Sequence, residues 1–384
     1  MGINLDHILG SQQRFYLKTE TTKGTTIRPL AADALKVISS AFPFTSPRVG
    51  RDDANDGLSD YEMVSDKGEF PVQFQRYVTP SGAAGTEADE GPAVAAVLGV
   101  AVEDPGVSWT YSPDDAQSLP AFSAWRLFNG ATPIYMDHVF GLILNDLKLS
   151  VPGNSRPMWD FSGKGMGHVG TGYALTTNAG APGTTPQFAS PDGRNFEVGS
   201  VVQIDATNNG GIGFGVTAVT DTQITVPSAT WGIGDIVQPF APTPAVAGSP
   251  IGHTVGSLTI DAVAWPIKSL EATWSKNLDY IEDEFGAAAM TDAGRGKMVA
   301  SGRIVVRARR DRIIENIRRK LFEQRAIVLT MGSGAGLTCV VNFPQVELVV
   351  GNSSIGQNGV AETEIAFLAL DSAEGAADSY SVVY

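Results

Sequence analysis

Side chains able to do chemistry are few in this sequence and poorly spaced for it. His7, His138, His168 and His253 are scattered, with no second ligand at helical or hairpin spacing, so no zinc site is read. The run Asp52-Asp53-Ala54-Asn55-Asp56-Gly57 has the acidity of a calcium loop. With Gly57 at position six, however, Ala54 falls at position three and Met63 at position twelve, where a bidentate Glu belongs. Gly163-Lys164-Gly165 lacks both the preceding Gly-rich turn and the following Ser or Thr of a phosphate loop, and reads as a strand end. Gly332-Ser333-Gly334-Ala335-Gly336 lies between two apolar runs and reads as a hairpin turn. Met331 stands where a nucleophile elbow around Ser333 would need glycine. The expectation is a protein that is not an enzyme and carries no cofactor or metal.

The elements around these residues must then exist for another purpose. At roughly 150 residues per domain, 384 residues predict two or three compact units. One cysteine, Cys339, excludes an internal disulfide framework, so stability comes from packing or assembly. A net charge of -14 argues against a groove that holds nucleic acid, which must neutralise phosphates. The start, Met1 to Lys18, has no secretory pattern and no apolar run reaches 18 residues, so the expectation is a soluble chain made in a cytoplasm.

Period-two alternation recurs throughout, predicting a mainly β protein with two short helices. Strands are expected at 70–74, 121–128, 139–151, 201–204, 304–308, 326–330, 337–350 and 363–370, the two longest with a bend. One helix is expected over Pro92–Val102, with proline at its first position and Val94, Val97, Leu98 and Ala101 on one face. The other is expected over Asp311–Gln324, with Ile313, Ile314, Ile317 and Leu321 turned to a sheet.

Uncharged Gly/Ala/Thr/Pro stretches at 170–190 and 241–256 read as linkers around a small β-barrel at 191–240. The flanking segments carry the same series of elements: an acidic Gly-containing loop, a strand, a helix, then strands closing in a hairpin. Asn145–Val151 aligns in phase with Pro344–Val350, and a Gly-Asn pair follows each, at Gly153-Asn154 and Gly351-Asn352. The organisation is therefore an N-terminal arm at 1–24, a first domain at 25–169, the inserted barrel, and a second domain at 257–384.

On this element order, each half resembles a tail tube domain of long-tailed, non-contractile bacteriophages, with final alternating strands such as Trp159–Gly163 and Ile365–Ala369. The resemblance implies two β-sandwich or barrel domains, each with a flanking helix. It also implies a virion subunit, assembled in the host cytoplasm, that stacks in rings to form the hollow tail. With two domains per chain, three chains make the six positions of a ring. Other tail proteins (tape measure, tail terminator, distal tail) are implied partners, and DNA passes through an acidic channel without specific binding.

Charge is segregated. Asp52 to Asp115 holds fourteen acidic and two basic residues, whereas Arg303 to Arg325 holds nine basic and three acidic. One reading is solvated faces; the other is complementary docking between copies. On the second, Asp52, Asp53, Asp56, Asp60, Glu282, Asp283, Glu284 and Arg295 are expected to contact the adjoining ring, and Arg312, Arg318, Arg319 and Lys320 a neighbouring subunit. An alternative function is a β-rich surface-binding protein, for adhesion or decoration, with 191–240 as its binding module.

Overall fold

The structure, a computed structural model, describes residues 13–44, 48–49, 64–65, 68–113, 119–128, 135–205, 207–240, 242–287, 289–307, 325–354, 362–370 and 380–384. It is mainly β, with one α-helix among the described residues. The expected second helix, 311–324, lies outside them.

The first segment contains β1 (Arg14–Thr19), β2 (Ala34–Leu35), β3 (Ser39–Ala41), β4 (Arg48–Val49), β5 (Val64–Ser65), β6 (Phe70–Tyr77), α1 (Gly91–Leu98), β7 (Gly99–Asp104), β8 (Ser108–Pro113), β9 (Phe122–Phe128), β10 (Tyr135–Pro152), β11 (Met158–Gly165) and β12 (Gly167–Thr171). The middle one contains β13 (Ala174–Leu175), β14 (Gly180–Gly183), β15 (Val201–Ile204), β16 (Phe214–Gly215), β17 (Ala218–Thr220), β18 (Gln223–Thr225), β19 (Ala229–Trp231) and β20 (Ile236–Pro239). The last contains β21 (Gly256–Ile260), β22 (Val263–Trp265), β23 (Ile267–Ser275), β24 (Asp279–Ile281), β25 (Asp292–Gly294), β26 (Val299–Arg307), β27 (Arg325–Gly332), β28 (Thr338–Ser354), β29 (Glu362–Ala369) and β30 (Ser381–Val383).

Pairing in the outer segments follows one plan. In the first, β1 pairs with β2 and β9, β9 with β10, β10 with β11 and β12, β11 with β6, and β6 with β3, all antiparallel. In the last, β21 pairs with β22 and β27, β27 with β28, β28 with β29 and β30, β29 with β26, and β26 with β23. The ribbons β4–β5 and β24–β25 also correspond. The long strands β10 and β28 change partners part-way along. In β10 this happens across two register shifts, the first around Gly141, whose φ of +62° suits glycine. In β28 it happens near Pro344, where a missing N–H costs the ladder nothing.

The segments share a sheet and a core. β10 pairs with β23 over Asp146–Pro152 and Ser269–Ser275, and β30 pairs with β8. Trp159 and Trp274, one from each segment, pack with ring centres 6.0 Å apart, and Trp274 stacks on Phe343 at 5.6 Å. The pairings branch but never return to their starting strand, so the sheet is open among the described residues.

α1 is shorter than its periodicity predicts. It ends at Leu98 because Gly99 takes a φ of +144°, and Val100–Asp104 join β7, paired with β8 across a Pro105-Gly106 turn. The helix is buried nearly all round (Gly91, Ala93, Val94, Ala96, Val97 and Leu98), not along one stripe.

The middle segment has its own core around Val202, Ile204, Phe214, Ile224, Trp231 and Val237. The expected barrel does not close: its strands of two to four residues give an open sheet, β13-β20-β15-β16, and two ribbons, too short to wrap around a common axis. The linker-like stretches are engaged as well. Residues 174–175 and 180–183 pair with β20 and β19, while Ala245, Ala247 and Ile251 donate backbone hydrogen bonds to Ala31, Asp89 and Val78. Uncharged composition here reflects strands and packing against the first segment.

Candidate self-association surfaces

A sheet edge becomes a binding surface when its N–H and C=O groups have no partner. The junction between β10 and β23 is an edge pairing made inside the chain. Its ladder is reinforced by side chains: Asp146 accepts from Ser162 Oγ at 3.0 Å and from Ser275 Oγ, and Lys148 and Arg303 both approach Glu271, at 3.4 and 3.0 Å. These ion pairs are half exposed and contribute about 0–1 kcal/mol each, so the main-chain ladder and the buried Trp274 carry the junction.

The counterpart of that junction is not made. β28 from Val346 onward corresponds to the part of β10 that binds β23, but on that edge no described strand pairs with Glu347–Val350. β3 corresponds to β23, and no described strand pairs with its side away from β6; its Ser40 carbonyl accepts from Arg126 Nη1 at 3.1 Å. An exposed apolar side chain lies at each strand: Ile38 (39%) just before β3 and Val349 (53%) on β28.

The β24–β25 ribbon is a second projecting feature. Its base is fastened to the first segment: Tyr280 donates to Ile143 O at 3.4 Å, Leu278 N to Asn145 Oδ1 at 2.9 Å, and Lys164 Nζ lies 2.9 Å from Glu282. Met290 and Ala293 bury beside Ile143. Lys276 reaches under the ribbon to donate to Ala96 O near the end of α1. Burial, then the charge of Arg295, lowers its pKa to about 8.

Of the predicted site residues, Glu282 is held within its own chain, Asp283 and Glu284 are exposed, and Arg295 lies half-buried near Lys276. Asp52, Asp53, Asp56, Asp60, Arg312, Arg318, Arg319 and Lys320 lie outside the described residues. Sequence reasoning did not single out Phe285, which is fully exposed at the ribbon tip. A lone phenylalanine among acids gives no periodic signal.

Two buried polar groups have structural explanations. Asp137 receives Arg126 and faces His168 Nε2 at 3.2 Å; burial opposes its ionisation, but His168, Arg126 and Tyr135 together hold its pKa below the usual range. The set ties β9, β10 and β12 together. His138 is wholly buried and stacked on Trp125 at 4.7 Å, with neither ring nitrogen hydrogen-bonded. Burial, then the charge of His168, lowers its pKa to about 3. Below the ordinary value near 6.5 the unfolded chain takes a proton that the folded chain refuses, so this site removes stability as pH falls from about 6.5 towards 3. His138→Phe keeps the stack and loses the titration. Its thermal midpoint is expected to match the parent at pH 7 and to decline less by pH 4; equal declines would refute this.

Among the described residues no cluster of His, Cys, Asp and Glu is placed to hold a metal, and no helix is long and apolar enough to cross a membrane. No family model and no curated protein matches the chain.

Proposed function

We propose that the chain is a structural subunit that polymerises as stacked rings into the hollow tube of a bacteriophage tail. One observation carries the reading: a strand junction is made between β10 and β23, while no described strand pairs with the corresponding edges of β28 and β3. Joining β28 of one copy to β3 of the next repeats the internal junction head to tail, and a heterologous contact of this kind closes into a ring or runs on as a filament. Three chains supply the six positions that the resemblance implies. In this reading the chain is not an enzyme, needs no cofactor, sits in the virion tail, and meets tape measure, tail terminator and distal tail proteins.

Three chains of −14 each give −42 per ring, and DNA moving past a wall of its own sign stays hydrated and unattached. The test is averaged end-on electron-microscope views of the purified protein. Threefold rings with six similar lobes are expected; a persistent monomer, or six chains per ring, overturns the proposal.

The middle segment decorates the outside in this reading, its separate core supporting a unit that folds alone. The packing of 242–251 on the first segment sets the cut: replacing 173–240 by a short Gly-Ser linker is expected to leave ring formation intact. A shortened chain that is folded but no longer associates would make the segment part of the scaffold.

A further inference from the structure

The ribbon tip and a hollow lie at opposite ends of the same strand pair. The tip reads Glu282-Asp283-Glu284-Phe285-Gly286, with Gly286 at a φ of +88° turning the chain and Phe285 wholly exposed. Because Met290, Ala293, Tyr280 and the Lys164–Glu282 and Lys23–Asp292 ion pairs fasten its base, the phenyl ring is held out on a supported arm. Little conformational entropy remains to be lost when such an anchor docks.

The ribbon leaves the β10–β23 pair beyond Asp146 and Ser275. At the other end, beyond Pro152 and Ser269 and about 20 Å away by strand rise, lies a hollow of about 270 Å³ lined by Trp265, Ile267, Leu258 and Met331 together with the polar His253 and Ser257. Its volume exceeds the roughly 150 Å³ that accepts a benzene ring in an engineered apolar cavity. Across the Pro266–Ile267 ridge a second hollow presents Arg307 and Lys268, the latter paired with Glu362 Oε2 at 2.8 Å. An aromatic-walled hollow beside the Arg307 guanidinium matches a phenylalanine next to two carboxylates.

We propose that Phe285 of one copy seats in the Trp265–Met331 hollow of a second copy displaced along the strand direction, with Asp283 and Glu284 facing Lys268 and Arg307. The occupant is a second copy of this chain because tip and hollow sit at opposite ends of one strand pair, so a single translation satisfies both and repeats indefinitely. The contact rests on the stacked-ring reading and specifies how rings stack: the ladder of β28 and β3 closes each ring, and Phe285 joins one ring to the next. A buried aromatic anchor carries a large share of such an interface, with the charges setting register.

Phe285→Ser in the full chain is expected to leave folding and rings unchanged and to raise the concentration needed for tubes roughly tenfold or more. Separately purified Phe285→Cys and Ile267→Cys chains, mixed at high concentration and oxidised, report the contact directly, because native Cys339 is buried. A disulfide that forms only in the mixture is expected. If tubes grow normally with Phe285→Ser and the mixture does not crosslink, this contact is wrong and the tube stands. If the mixture crosslinks but no rings form, the contact stands and the tube falls; neither crosslink nor rings would sink both.

Discussion

Backbone amides along Glu347–Val350 that point away from β29 are expected to exchange with solvent quickly in the isolated chain and at least about a hundredfold more slowly once rings form. Amides of residues 37–42 on the side of β3 away from β6 should behave in the same way. The internal junction supplies the control: amides of Ser269–Ser275 bonded to β10 are already paired, so their protection should be the same in both states. The comparison separates edge pairing from association by side chains alone, which would leave the two edges exchanging at their original rate. Protection appearing equally at every strand end would also contradict the prediction, since that is the signature of non-specific aggregation. The effect is large because an edge amide goes from open water to a ladder between two buried faces, and releasing it then requires separating subunits.

Glu90→Ala is expected to destabilise the chain by about 3–5 kcal/mol, because it strands a buried guanidinium. Arg76 and Glu90 are both wholly buried, with Arg76 Nη2 3.0 Å from Glu90 Oε2 but out of line for a hydrogen bond, so charge holds the pair together more than geometry does. Glu90 Oε1 accepts from Thr79 N at 2.9 Å and from Tyr384 Oη at 3.0 Å, and Tyr384 Oη in turn accepts from Trp159 Nε1 at 2.8 Å. The single variant breaks this network at its centre. Replacing both charges, Arg76→Met with Glu90→Leu, is expected to recover most of the loss, since apolar packing substitutes for a desolvated pair. Denaturant midpoints followed by tryptophan fluorescence read both variants, since Trp159 belongs to the network and Trp274 packs against it. A double variant as unstable as Glu90→Ala would mean that the hydrogen bonds of Glu90, and not its charge balance, hold this part of the core.

How far the sequence could be read depended on the range of the forces involved. β9 and β27 are bounded apolar runs whose neighbours settle them, and both lie within a residue or two of their expected limits. α1 was read four residues too long because Val97, Leu98 and Ala101 keep helical spacing across Gly99, and local periodicity outweighed one glycine. The same misreading hid β7 and β8, although Pro105-Gly106 is a strong turn signal. Arg76 follows Val72 and Phe74 on the inward phase of β6, so its burial could have been inferred; its partner, fourteen residues on at the start of a helix, could not. The repeat was visible as element order, but the β10–β23 junction depends on edges more than a hundred residues apart and leaves no local trace. The candidate surfaces were the least legible part, since an unmatched edge is defined by what fails to pair with it.

The pairing of β8 with β30 has a kinetic consequence. On the edge of β8 away from β7, Thr110 and Tyr111 find their strand partners at Val383 and Val382, and Trp109 exchanges backbone hydrogen bonds with Tyr384. During synthesis the first segment therefore waits for some 270 later residues with one edge of β8 and the underside of α1 uncovered. Closing so distant a contact is slow, and uncovered edges are where nascent chains aggregate. Premature association is restrained in the meantime, because β28, which carries one of the two unmatched edges, is made shortly before β30. In the proposed ring, the order of synthesis thus keeps a β3 edge from meeting β28 of another chain until that late strand has been made.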